Sequence, residues 1–134
     1  MTFDREYAAE QLRRARHPLR RLVKGFYLRN ILRDVRGATI DFGCGAGQLL
    51  SRLPAGSIGL EVNPHLIEAL RNAGHSVRPS RGDMQDFELE GIESGCFQTL
   101  VIAHVLEHLQ NPEAALRVLL AACNLSASWP MNRA

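Results

Sequence analysis

No window of this sequence holds the 18 or more uninterrupted apolar residues of a membrane-spanning helix. Its opening, MTFDREYAAEQLRRARHPLRR, lacks the apolar centre of a secretory signal, which predicts a cytoplasmic protein. Cysteine is scarce and odd in number. Cys44, Cys96 and Cys123 are widely spaced, which fits free thiols better than a disulfide framework or a zinc site, and they are expected to behave as small buried hydrophobes. Aromatic residues make up 6% of the chain, and none alternates with the arginines to form a platform for stacked bases, so nucleic acid is not an expected partner. Internal repeats and low-complexity tracts are also missing.

What remains is the composition of a soluble globule, 46% hydrophobic and 22% charged over 134 residues, enough for one domain with one core. The charge is unevenly placed. Residues 1–36 hold ten Lys/Arg against four Asp/Glu, a net +6, whereas residues 37–134 hold six against ten, a net −4, which together make the overall +2. The basic segment can face an anionic substrate, a nucleic acid or a membrane surface, or can be the solvated side of an amphipathic helix.

Three parts follow from the patterning. Residues 1–36 read as a basic helical segment, with one helix over 4–16 ended by His17-Pro18 and a second over 19–35 closed by Gly37. In the second, Leu19, Leu22, Val23, Phe26, Ile31 and Val35 largely keep helical spacing. Residues 37–123 read as an α/β core. Strands are expected at 38–42, 57–62, 75–79 and 96–104, the last apolar enough to be buried on both faces. Helices are expected at 47–53, at 64–73 after the Asn63-Pro64 cap, and from Pro112 to about Cys123 after Asn111. Residues 124–134 show no periodicity. This alternation is that of a parallel sheet joined by crossovers.

The stretch DFGCGAGQLL, residues 41–50, turns from the first strand with three glycines in five positions. Such a turn lets a ligand reach the main chain at the carboxyl end of the sheet. A dinucleotide site wants G-x-G-x-x-G, but Gly43, Gly45 and Gly47 are spaced G-x-G-x-G with Gln48 where the third glycine would stand. A phosphate-binding P-loop is excluded because no Gly-Lys-Ser/Thr follows.

Asp41-Phe-Gly43-Cys-Gly45-Ala-Gly47 resembles the first motif of the class I S-adenosylmethionine-dependent methyltransferases, in particular the type 11, small-molecule branch. The resemblance continues in order through GLEVNPHLIEAL, RGDMQDF and CFQTLVIAHVLEHLQNPEAALRVLL, covering about residues 38–122. It implies a Rossmann-like class I methyltransferase fold with a partial parallel sheet of order 3-2-1-4, preceded by N-terminal helices. It also implies S-adenosyl-L-methionine as cofactor and in-line methyl transfer to a small molecule. By the same resemblance, Glu61 addresses the ribose, the neighbouring Val62 is a further cofactor-binding residue, and Asp83 and Met84 address the adenine. The turn of Gly43, Gly45 and Gly47 would lie along the sugar and methionine, with Asp41 near the methionine amino group. Ala103 and His104 would border the reactive methyl, His104 being the candidate base.

Two features cut across the resemblance. His104-Val-Leu-Glu107-His108 matches the H-x-x-E-H pattern of inverted zinc proteases. That site needs both histidines on one helix and a further ligand downstream, whereas here the motif falls at a strand end, so Glu107 and His108 are expected to shape a substrate-side loop and no metal is expected. The family pattern also continues past the last helix with a Pro-Gly-Gly-type turn and three more strands, none of which this sequence contains. The expectation is a truncated methyltransferase, an expressed fragment, or a protomer that covers an exposed fourth-strand edge by forming a homodimer. A catalytically inactive cofactor-binding module is the alternative function.

Overall fold

The computed structural model describes residues 4–80, 95–103, 105 and 108–123. Helix α1 (Arg5–Arg16) starts at Asp4, whose side chain accepts from the Tyr7 amide at 2.7 Å, and stops at His17, held extended before Pro18. Helix α2 (Pro18–Asp34) begins on that proline. The core then alternates β1 (Thr39–Phe42), a 3-10 turn (Leu50–Arg52), β2 (Ile58–Glu61), α3 (Pro64–Asn72), β3 (Val77–Pro79), β4 (Thr99–Ile102) and α4 (Pro112–Ala122).

All three strand pairings are parallel, and the order is β3-β2-β1-β4. The sheet therefore has the Rossmann-like order that the family resemblance implied. Side-chain alternation sends β1 and β2 in two directions. Ile40, Phe42, Ile58 and Leu60 pack with Leu119, Ala115 and Ala122 of α4 on one face. On the other, Cys44, Leu50, Ile67, Leu70 and Val77 form a second cluster under α3. Gly59 sits on that second face because a side chain there would meet Cys44 Sγ at 2.6 Å and Leu50 Cδ2 at 2.8 Å.

Several expectations need correction. The helix placed at 47–53 is only the 3-10 turn Leu50–Arg52, because Gly47 enters it with φ +78° and Leu53 is extended ahead of Pro54. Too few residues remain between them for an α-helix. The fourth strand is shorter than 96–104, and its residues are half-buried instead of buried on both faces. Leu100 and Ile102 reach the α4 core, but among the described residues β4 has a neighbour on one side alone. Cys44 and Cys123 are buried as expected, whereas Cys96 is exposed. The apolar residues of α2 do not share one inward face. Leu28 is buried, while Leu19, Leu22, Val23 and Phe26 are all more than 60% exposed.

Candidate functional site

Asp41 and Glu61 lie on neighbouring parallel strands and on the sheet face opposite α4, since Ile40, Phe42 and Leu60 point into the α4 core. Both carboxylates are buried. β2 ends at Glu61, and the chain turns at once into α3, whose N-cap Asn63 accepts from His65 N at 2.9 Å and Leu66 N at 3.3 Å. That tight turn folds amides back onto Glu61. Val62 N and Asn63 N donate to its Oε1 at 3.0 and 3.1 Å, and Gly45 N, from the glycine turn, donates to its Oε2 at 2.9 Å. A carboxylate can accept about four hydrogen bonds, so one acceptor direction, on Oε2, is left for a ligand.

The glycine turn itself is pinned at both ends. The amides of Gly43 and Cys44 donate to Leu60 O at 2.8 and 3.0 Å, and Gly47 N donates to Cys44 O at 2.9 Å. Gly47 is left-handed and close to α3, where a side chain would meet Leu70 Cδ2 at 2.6 Å. Gly45 differs. It too is left-handed, at φ +53°, yet among the described residues nothing lies within 4 Å of where its side chain would begin. Its bareness therefore serves no packing among the described residues and leaves open space there beside the Glu61 carboxylate.

Burial raises the Asp41 carboxyl from 3.8 to about 6, with the positive charge of Lys24 on α2 opposing the rise and Glu61 adding to it. No hydrogen bond among the described residues engages the Asp41 carboxylate. Burial also pushes the Cys44 thiol well above its ordinary range, helped by the negative charges of Asp41 and then Glu61, so it remains a protonated hydrophobe beneath the turn. A crevice with two acids and little charge compensation suits a ligand that brings hydroxyls and a cation.

The N-terminal helices border this crevice. Gln48 Nε2 donates to Ala15 O at the end of α1 (3.3 Å), and Asn63 Nδ2 donates to Asp4 O at its start (3.4 Å). Sequence patterning did not single out these links, nor Lys24; a lone lysine among arginines carries no signal of its target. Val105, past the end of β4, crowds Gly43, where a side chain would meet its Cγ2.

Of the residues expected at a site, the structure brings Asp41, Gly43, Gly45, Gly47, Glu61 and Val62 together at the carboxyl ends of β1 and β2. Ala103 follows directly on β4, the other neighbour of β1, and is half-buried. Asp83, Met84 and His104 lie outside the described residues, as does Glu107, so the H-x-x-E-H segment is described only at Val105 and His108. A concavity of about 370 Å³ lined by Pro64, Ile67, Glu68, Arg71, Asn72 and Pro79 flanks α3 and β3 and contains none of the site residues.

A family model described as a methyltransferase domain, the type 11 model, matches residues 40–122. The chain belongs to this methyltransferase family. The matched span begins in β1 and ends with α4, so it includes both carboxylates and the glycine turn. A search of curated proteins finds no match. Among solved structures, the fold is similar to that of a Methanococcus maripaludis protein assigned as an S-adenosyl-L-methionine-dependent methyltransferase, with a TM-score of 0.68 and 18% identity. The similarity covers 92% of this chain and 60% of that one. At such identity the likeness establishes the fold, and this chain spans 60% of the length of that structure. No helix among the described residues is long and apolar enough to cross a membrane.

Proposed function

We propose that this methyltransferase domain binds S-adenosyl-L-methionine across the glycine turn and directs methyl transfer to a small-molecule acceptor by in-line displacement. The observation that carries this reading is the Glu61 carboxylate, fixed by three backbone amides beside the unfilled space at Gly45. A cradle that one Cβ would fill, next to an acid with an unused acceptor direction, fits a sugar with vicinal hydroxyls. One hydroxyl takes the free direction on Oε2; a second needs Gly45 N to release its bond. Asp41, buried and without a hydrogen bond among the described residues, suits the amino group of the methionine portion.

When bound, the cofactor supplies a sulfonium methyl group and leaves as S-adenosylhomocysteine. The work of the chain is to hold and exclude. Asp41 must give up its proton to meet an ammonium group, which the nearby Lys24 charge assists. The segment beyond β4, with Ala103 and His104, is where the family resemblance puts the acceptor, and Asp83 and Met84 are assigned to the adenine on the same basis. Displacement of this kind depends chiefly on proximity and orientation, so His104 assists as a base only where the acceptor needs deprotonation.

A second reading is a cofactor-binding module without catalysis, supported by the chain's spanning only 60% of the solved structure that it matches. Calorimetric titration with S-adenosylhomocysteine separates the cases. The native chain is expected to bind, and Glu61→Ala to lose at least tenfold in affinity, the usual worth of one charge-assisted hydrogen bond. Binding together with turnover in an acceptor screen supports the enzyme; binding without turnover supports the module. Absence of binding rejects both.

A further inference from the structure

Helix α2 is apolar on two opposite sides. Gly25 faces Arg52 of the 3-10 turn and Leu28 is buried, which identifies the side turned to the body. Leu19, Leu22, Val23 and Phe26 follow the i, i+3, i+4, i+7 spacing of a single stripe on the other side. Their exposures are 63, 62, 65 and 62%, so the stripe is fully presented to solvent. Isolated exposed apolar residues are ordinary, but four large ones in helical register are not.

The stripe is bordered by Arg20, Arg29 and Arg33, while Arg21 and Lys24 lie toward the other side of the helix, where the Lys24 charge acts on Asp41. Arg20, Arg21, Lys24, Arg29 and Arg33 stand against a single acid, Asp34, giving α2 a net +4. Among the described residues none of these five is ion-paired, whereas Arg13 and Arg14 of α1 are both held by Glu10. Arg29 lies over the Phe26 ring at 5.9 Å, at the margin of the apolar stripe. On a twofold dimer through this face, the same cations would meet one another, which opposes a second copy as the occupant. A surface that is apolar at depth and anionic at its boundary satisfies both parts of the pattern.

We infer that α2 is a peripheral docking helix for an anionic lipid bilayer, its Leu19, Leu22, Val23 and Phe26 side chains entering the headgroup boundary and its arginines meeting acidic headgroups. This is independent of the methyl-transfer reading. The helix lies parallel to the surface; at 17 residues and with five cations it does not span.

The test is co-sedimentation of the whole chain with vesicles of phosphatidylcholine alone and of phosphatidylcholine mixed with phosphatidylglycerol. Two variants, Leu22→Ser/Phe26→Ser and Arg20→Gln/Arg29→Gln/Arg33→Gln, are compared with the native chain after circular dichroism has verified their helix content. All five sites are exposed, so the fold is expected to persist. The native chain is expected to bind the anionic vesicles and leave the neutral ones. Roughly fivefold in partitioning should be lost for each arginine removed, and about tenfold or more for the paired serines. The proposal is overturned by absence of binding to anionic vesicles, or by binding that the serine variant leaves unchanged. It is equally overturned if the native chain dimerises in the absence of lipid and the serine pair abolishes that dimer, because a second copy is then the occupant.

Discussion

Asp41 is expected to destabilise the ligand-free fold at neutral pH, and removing its charge should reveal by how much. Burial raises its carboxyl from 3.8 to about 6, a gap worth about 3 kcal/mol. Because the folded pKa is the higher one, the folded chain keeps this proton after the unfolded chain has lost it. Stability from this group is therefore complete below the unfolded value, falls as pH rises from about 4 to about 6, and stays low above that. Asp41→Asn has no proton to lose. Relative to the native chain, it should be near neutral at about pH 4 and stabilised by up to about 3 kcal/mol at about pH 7. In urea titrations followed by circular dichroism, that moves the midpoint upward by about 1 M or more. The same variant should bind S-adenosylhomocysteine more weakly, and native affinity should climb with pH up to about 6 as the carboxylate ionises. Parallel pH profiles for the two chains, or an asparagine variant less stable than the native chain at neutral pH, would refute the reasoning. Either outcome would mean that the carboxylate is well solvated or well paired in the fold.

Three further substitutions probe the turn and its supports. Gly45→Ala should cost about 1 kcal/mol in stability, the ordinary penalty of a left-handed alanine, because nothing crowds the site; S-adenosylhomocysteine titration should nevertheless show a large loss of affinity. Gly47→Ala should behave in the opposite order, destabilising by more than about 2 kcal/mol in chemical denaturation, since strain at φ +78° is joined by the Leu70 clash. Asn63→Ala removes the acceptor for His65 N and Leu66 N and should lower stability by about 1 kcal/mol, with a loss of α3 helicity readable by amide hydrogen exchange.

Much of this arrangement was legible because it is local. The Asn63-Pro64 and Asn111-Pro112 pairs dictate where α3 and α4 begin, since a side-chain oxygen and a missing amide both favour a helix start. The short apolar runs at β1 and β2 mark strands, and the long connections make them parallel. Asp41, Glu61 and the three glycines could be picked out together because the motifs they sit in, at the ends of those strands, resemble those of a known family. The failures share a cause as well. Whether residues 47–53 form a helix depends on how far the chain must travel between Gly47 and Pro54, which spacing alone does not show. How deeply β4 is buried depends on what flanks it in the sheet. The same apolar content in α2 is compatible with one buried face or two opposite ones, and only packing against the rest of the chain separates buried Leu28 from exposed Phe26.

By itself, then, the sequence determined most of the element order and the parallel sheet, because caps, turns and strand periodicity act over a few residues, and the resemblance of its motifs to a known family singled out the two acids. Tertiary structure alone decided that Gly45 donates to Glu61 across 16 positions, that Asp41 is buried under the influence of Lys24, and that four apolar side chains of α2 face outward. Those relations join distant segments through desolvation and charge, which depend on the packed chain and leave no local trace in the order of its residues.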